Sequence, residues 1–340
     1  MFDFIPTEYF LLAFGFILLI KGGDWFVDAA CGIAKRFKLP ELLIGATVVS
    51  IGTTLPEVMT SAMGALSGSG AIAYGNAIGS IICNTSLIAA ITIAIKPGKA
   101  NKKALIFPVC FFFATAVFYA FNAYAFKGFA LWSGLVLLCA FVVYMVINVI
   151  NMKNNPEEEE LSENMEIAEE ENKEPEVKGN FFKDLLFLVI GAAVIAVGAY
   201  LLVESATSIA HQIGVPESVI GLTVVAIGTS LPELVTAITS LIKGHGSLSL
   251  GNIIGANIFN LVLVSGAAIT INPFDVPSSA TFMGMNASFI FDIPLMIGVM
   301  ALMTLPALVR GKLARWQGLS LLCLYGAYCV LQFVLIPMFP

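Results

Sequence analysis

The chain has 340 residues, 58% of them hydrophobic and 12% charged, with a mean hydropathy of +0.92. An ordinary soluble domain carries about 25% charged residues, so this composition excludes a soluble enzyme, a nucleic-acid binder and a disordered chain, and points to an all-α polytopic membrane protein. The net charge of −6 is local: residues 152–180 hold 11 of the 23 acids against three lysines, and the remainder of the chain is slightly basic.

A membrane-crossing helix needs about 20 apolar residues. Read in chain order, ten segments qualify: 8–34, 41–66, 72–96, 104–126, 129–151, 182–211, 217–242, 248–271, 288–309 and 316–338. Continuous apolar runs argue against short alternating barrel strands, and the hydrocarbon core admits only helices or closed barrels. The start of the chain is acidic (Asp3, Glu8) and lacks a basic leader, so the first segment reads as an uncleaved span. The six cysteines fall in or beside apolar runs without a CxxC pair, and read as small helix residues, not disulfides or zinc ligands.

Loop charge sets the orientation. With the N-terminus outside, inner loops and their edges collect 15 of the 17 basic residues, including Lys35, Arg36, Lys96, Lys99, Lys243, Arg310 and Arg315. Both termini are then outside and the acidic segment is cytoplasmic. That segment, with Glu157–Glu160 and Glu169–Glu171, lacks the spacing of a Ca²⁺ loop and reads as a solvated linker.

The sequence repeats itself: laid over one another without a gap, 45–88 and 221–264 are identical at 20 of 44 positions. Each copy supplies five spans. Five is odd, so the second copy enters the membrane from the opposite side, an inverted repeat of the kind found in secondary transporters. The expected organisation is 1–151 as one five-helix repeat, 152–181 as an acidic linker, and 182–340 as the second repeat.

The repeat carries the chemistry. Glu57 and Glu233 occupy equivalent mid-span positions in GTTLPE and GTSLPE. A structural carboxylate would need a cationic partner, and no Lys or Arg lies deep enough; an unpaired mid-membrane charge marks a functional site. Each follows a proline, Pro56 or Pro232, that removes the N–H serving the carbonyl of Gly52 or Gly228. Thr53 and Thr60, and Thr229 and Thr236, share their faces. In spans three and eight, Asn76, Ser80 and Asn84, and Asn252, Ala256 and Asn260, follow at helical spacing. Gly75xxxGly79 and Gly251xxxGly255 permit close packing there. Asn76 and Asn252 are expected to bond between helices, Asn84 and Asn260 to face the site. The donor set is all oxygen, as Ca²⁺ and other hard cations require. His211 and His245 lie near loops and fit no metal cluster. Asp28 and Glu204 are equivalent residues nearer the span ends, suited to an interfacial contact or an ion path.

The paired GTTLPE/GTSLPE signatures, each followed by GNAIGS or GNIIGA and then Asn, resemble the alpha repeats of the Ca²⁺:cation antiporter superfamily, most nearly its prokaryotic-type sodium/calcium exchangers. The resemblance spans essentially the whole chain outside the acidic linker. It implies Na⁺/Ca²⁺ exchange by alternating access in the plasma membrane, without a cofactor. It implies four sites around the two glutamates, with Ca²⁺ on Glu57, Glu233, Thr53 and Thr229. Sodium would share the glutamates and use Thr54, Ser80 and the Ala226 carbonyl on one side. On the other it would use Ser230 and the Ser50 carbonyl, with Asn84 and Asn260 completing the middle. Ala256 stands where many relatives have Ser, which weakens one sodium site. Asn260 stands where many have Asp, which argues against potassium co-transport. Two carboxylates match one Ca²⁺, and the family's three Na⁺ would leave one positive charge. Rival readings are a proton/calcium antiporter of the same superfamily and, in another class, a passive cation channel. Both halves of the site lie in one chain, so a monomer suffices.

Overall fold

The computed structural model describes residues 7–37, 39, 41–154, 181–212, 228, 230–277, 281, 282 and 284–335. It is built almost entirely of helix: α1 (Thr7–Phe37), α2 (Glu41–Leu66), α3 (Gly70–Ile95), α4 (Lys102–Phe126), α5 (Leu131–Asn154), α6 (Phe181–Gln212), α7 (Leu231–Ile242), α8 (Gly246–Ile271), α9 (Ser288–Arg310) and α10 (Arg315–Val330). Eight are long and apolar enough to cross a membrane; α7 is shorter, and α10 runs on through a π-helical turn at Leu331–Leu335. The expected seventh span, 217–242, is described in full only from residue 230, just before α7, and the acidic segment 155–180 lies outside the described residues.

The helix ends follow local chemistry. Asn101 caps α4 by accepting from the N–H groups of Lys103 and Ala104, at 3.0 and 3.4 Å. Gly311, at φ +67, ends α9 in the left-handed conformation that glycine takes without strain. Pro56 sits inside α2, which runs on unbroken to Leu66. The loops sort to two ends of the bundle. At one, the α3–α4 loop joins the α9–α10 loop: Ala100 donates to the Gly311 carbonyl (3.0 Å) and Leu313 to that of Gly98 (2.8 Å). At the other, β1 (Gly128–Phe129) pairs antiparallel with β2 (Phe274–Asp275). These are the loop groups that the charge pattern assigns to opposite faces.

Burial separates two layers. Along their most apolar stretches, α8 is 83% buried and α3 72%, against 33% for α1 and 28% for both α5 and α6. Thus α2, α3, α7 and α8 lie at the centre, with α4, α5, α9 and α10 packed around a core that includes Ile78, Ile82, Phe112, Tyr144, Phe259 and Met300. The α1–α6 pair forms its own apolar cluster from Leu19, Phe26, Leu188 and Ile195, meeting the centre at Ile44, Leu231 and Leu248.

Backbones approach closely at two seams. A Cβ on Gly22 would stand 2.9 Å from the Ile195 nitrogen, and one on Gly198 2.9 Å from the Gly15 carbonyl, so α1 and α6 touch main chain to main chain. In the centre, Gly251 and Gly255 lie against Leu42, Ala46 and Ser50 of α2. Gly75 and Gly79 meet nothing comparable among the described residues. The second-repeat counterpart of the Leu42 to Ser50 segment, residues 218–226, lies outside them.

Candidate cation-binding site

The central helices carry a feature the sequence does not announce. Three widen into π-helical turns: Gly45–Val49 in α2, Asn84–Ala89 in α3 and Asn260–Val264 in α8. The turns in α3 and α8 begin on Asn84 and Asn260, equivalent positions of the two repeats, and each lies near the middle of a 26-residue helix. Such turns are frequent at functional sites because they displace side chains and carbonyls from the regular ladder. Hydroxyls reach into them: Ser50 donates to the Gly45 carbonyl (2.7 Å), Tyr144 to Ala46 (3.3 Å) and Ser265 to Asn260 (3.0 Å).

Glu57 and Glu233 are fully buried. The Thr54 hydroxyl donates to Glu233 Oε1 at 3.5 Å, which joins α2 to the start of α7. Among the described residues, neither oxygen of Glu57 has a hydrogen-bond partner, nor has Glu233 Oε2. The same holds for the Ser230 hydroxyl and for both amide atoms of Asn84 and of Asn260, two residues that are also fully buried. Among the described residues, the ion pairs are Arg36–Asp184, Lys243–Asp24 and Lys243–Asp28, with His245 hydrogen-bonded to Glu41, and none involves Glu57 or Glu233. A carboxylate in this setting costs several kcal/mol unless a cation or proton compensates it. Unpartnered oxygens from four helices, α2, α3, α7 and α8, have the chemistry with which a hard cation replaces its water.

Around this group the remaining hydroxyls are held in fixed orientations by Asn252. Its Oδ1 accepts from Ser50 (3.2 Å) and Thr53 (3.3 Å), its own carbonyl accepts from Ser50 (2.9 Å), and its Nδ2 donates to Thr236 (2.8 Å). Thr236 in turn donates to the carbonyls of Pro232 (2.9 Å) and Glu233 (3.0 Å). Asn76 plays a related part in the other half: Nδ2 donates to the Glu57 carbonyl (3.1 Å) and to the Ser61 hydroxyl (2.9 Å). Both asparagines therefore bond between helices; Asn76 holds the Glu57 carbonyl directly, and Asn252 reaches that of Glu233 through the Thr236 hydroxyl. Ser80 is buried on α3, one turn before Asn84. Thr229 and Ala226 lie outside the described residues.

Two residues suggested as part of an ion path sit at the surface. Asp28 has 65% of its side chain exposed and pairs with Lys243 at 2.7 Å; Glu204 is exposed. Sequence reasoning also missed Asn257, whose Nδ2 donates to Thr85 (2.7 Å) and contacts Met300 Sδ (3.1 Å), tying α8 to α3 and α9. Its only signal was a polar residue in an apolar run. A further correction concerns His245 and Cys31. The sequence places them in no ligand group, yet with Glu41 their ligand atoms all lie within 4.8 Å of one another. Cys31 and Glu41 belong to the first repeat and His245 to the second, and so long a separation hides the grouping from spacing arguments.

Comparison with known proteins identifies the family. The family model described as "Sodium/calcium exchanger protein" matches residues 7–150 and 183–334. The chain is 30% identical to the sodium/calcium exchanger MaX1 of Methanosarcina acetivorans, over 97% of this chain and 99% of that one. It is 35% identical to the membrane protein MJ0091 of Methanocaldococcus jannaschii, over 94% and 96%. A solved structure of the sodium-calcium exchanger NCX_Mj, soaked with Na⁺ and Sr²⁺, superimposes with a TM-score of 0.78 at 29% identity, covering 97% of this chain and 100% of that one. With its apolar helices and these matches across both halves, the chain is an integral membrane protein that belongs to the sodium/calcium exchanger family of antiporters.

Proposed function

We propose that this chain exchanges Na⁺ for Ca²⁺ by alternating access at a mid-membrane site built on Glu57 and Glu233. The observation that carries the reading is the set of buried, unpartnered oxygens: both of Glu57, one of Glu233, and the amide oxygens of Asn84 and Asn260. In this reading the glutamates, Thr53 and Thr229 hold Ca²⁺. Sodium uses the same carboxylates with Thr54, Ser80, the carbonyls of Ala226 and Ser50, and Ser230, and Asn84 and Asn260 complete the middle. Antiport then follows from electrostatics. Two carboxylates cannot hold Ca²⁺ and a full set of Na⁺ together, and the empty site is penalised by two uncompensated charges in a low-dielectric interior. Crossing is therefore favoured only when the site is loaded. The proposed frame is ten spans in two inverted repeats, 1–151 and 182–340, with both termini outside and 152–181 as a cytoplasmic linker. The α1–α6 pair moves against the central helices to expose the site to each side in turn.

The test is ⁴⁵Ca²⁺ uptake by purified protein in sodium-loaded liposomes diluted into sodium-free buffer, beside potassium-loaded and acid-loaded controls. Uptake that needs internal sodium is the expected result. Uptake driven by internal acid alone transfers the chain to the proton-coupled branch, and uptake without any counter-ion makes it a passive pathway.

A further inference from the structure

Cys31 of α1, Glu41 at the first turn of α2 and His245 in the α7–α8 connection come from three separate elements, yet their ligand atoms all lie within 4.8 Å of one another. We propose that Cys31, Glu41 and His245 form a second metal site, selective for a borderline-soft divalent cation such as Zn²⁺, and that an ion bound there clamps the α1–α6 pair to the central helices.

The ligand chemistry differs from that of the transport site. Thiolate, imidazole and carboxylate suit zinc, whereas Ca²⁺ and Na⁺ take oxygen ligands. Zinc bonds of about 2.0–2.3 Å in a tetrahedron place ligand atoms about 3.3–3.8 Å apart, so the wider separations in the group close by about 1 Å at most while the His245–Glu41 contact lengthens. The group is positioned in advance. His245 N–H donates to the Ser240 carbonyl (2.8 Å), its carbonyl accepts from Ser249 (3.2 Å), and Gly244 turns the hairpin at φ +89. The imidazole Nδ1 already lies 2.6 Å from Glu41 Oε1. The thiol is buried, while about a quarter of the imidazole and of the carboxylate remains exposed, which leaves an approach from water. On binding, the Cys31 thiol releases its proton to water, the His245–Glu41 hydrogen bond opens, and both groups turn to the ion; water takes the fourth position.

The charges that face the group are Asp28, Glu41, Lys35 and Lys243. Lys243 is engaged by Asp24 (3.3 Å) and Asp28 (2.7 Å), so it does not stand as an uncompensated cation beside the ion. The site is also one-sided. At the equivalent positions of the opposite repeat the chain has Thr207, Glu217 and Ser69, so the other end of the pseudo-symmetric pair carries neither the thiol nor the imidazole. Inhibition therefore acts from the face that bears Arg36 and Lys243.

Zinc binding is measured first, by titrating Zn²⁺ into the purified full-length protein against a chromogenic chelator with Ca²⁺ in excess. One ion per chain is expected, with affinity lowered at least about tenfold by Cys31→Ser and, independently, by His245→Gln, and unchanged by Glu57→Gln. Zinc affinity that survives both Cys31→Ser and His245→Gln overturns the site. The clamp rests on the transport reading above and is measured by sodium-driven Ca²⁺ uptake. Zinc should slow the wild type at least about tenfold and spare Cys31→Ser by the same factor, with recovery on chelation. Full-rate exchange with the site filled overturns the clamp. Failure of sodium-driven uptake in zinc-free wild type counts against the transport reading alone, because zinc affinity is measured without transport.

Discussion

The central helices and the α1–α6 pair are held together by different forces. In the centre, hydrogen bonds cross from helix to helix: Ser50 and Thr53 to Asn252, Asn252 to Thr236, Asn76 to Ser61, and Asn257 to Thr85. Each has a preferred geometry, and inside the membrane no water is at hand to replace a broken partner. Between α1 and α6 the seam is Gly15, Gly22, Gly191 and Gly198 with apolar neighbours, joined at one end by the Arg36–Asp184 pair (3.2 Å), so that close dispersion contacts hold the two helices together as a unit. Where α1 meets α2, the Phe26 ring lies on Gly52, one residue before Thr53. The contrast fits the proposed mechanism, in which a hydrogen-bonded centre holds the ions and the α1–α6 pair moves over it.

The comparison can be broken most forcefully at the carboxylates. Glu57→Gln or Glu233→Gln should lower exchange at least about a hundredfold, the loss of a few kcal/mol of ion binding, while size-exclusion and thermal unfolding profiles stay those of the wild type. Normal uptake by either variant would remove the centre from the mechanism. Tethering the pair is next. A crosslink between introduced cysteines replacing Gly23 and Val235, whose side chains would lie in contact, should stop exchange on oxidation and restore it on reduction. Transport that continues through the oxidised form would show the pair does not need to move.

Smaller effects sharpen the picture. Asn252→Ala removes the group that orients Ser50, Thr53 and Thr236, and the loss of about 1–3 kcal/mol for buried unsatisfied partners should raise the Ca²⁺ concentration for half-maximal uptake by about tenfold. An unchanged value would mean those hydroxyls are held by their own helices. Replacing Asn260 with Asp adds a third carboxylate to the centre and should change counter-ion preference or pH dependence; an identical profile would remove Asn260 from the site. Lys243→Met, which breaks exposed pairs with Asp24 and Asp28, should shift stability by no more than about 1 kcal/mol. A larger loss by thermal unfolding would make that end of α1 a structural anchor.

Much of this molecule is legible in its sequence because the membrane makes the code simple. Apolar length alone locates α1 to α6, α8 and α9 to within a few residues. The duplicated GTTLPE and GTSLPE motifs point to Glu57 and Glu233, and a charge in an apolar run has few innocent explanations. What escapes is whatever depends on hydrogen-bond register or on distant partners. Nothing in Gly45–Val49 or Asn84–Ala89 marks a change from i−4 to i−5 bonding, because that choice is made by packing against neighbouring helices and by hydroxyls such as that of Tyr144. The role of Asn252 as a junction, and the meeting of Cys31 with His245, likewise need the fold.

The widened turns at Asn84 and Asn260 have a consequence for how each helix reads its surroundings. One extra residue accommodated in a turn advances everything beyond it by about 100° around the axis. Helices α3 and α8 are therefore each two amphipathic rods joined out of phase, and each rod chooses its own buried face. Deleting a single residue from 84–89 or 260–264 would barely shorten the helix. It would turn one half of it by more than a quarter revolution and carry core side chains towards lipid.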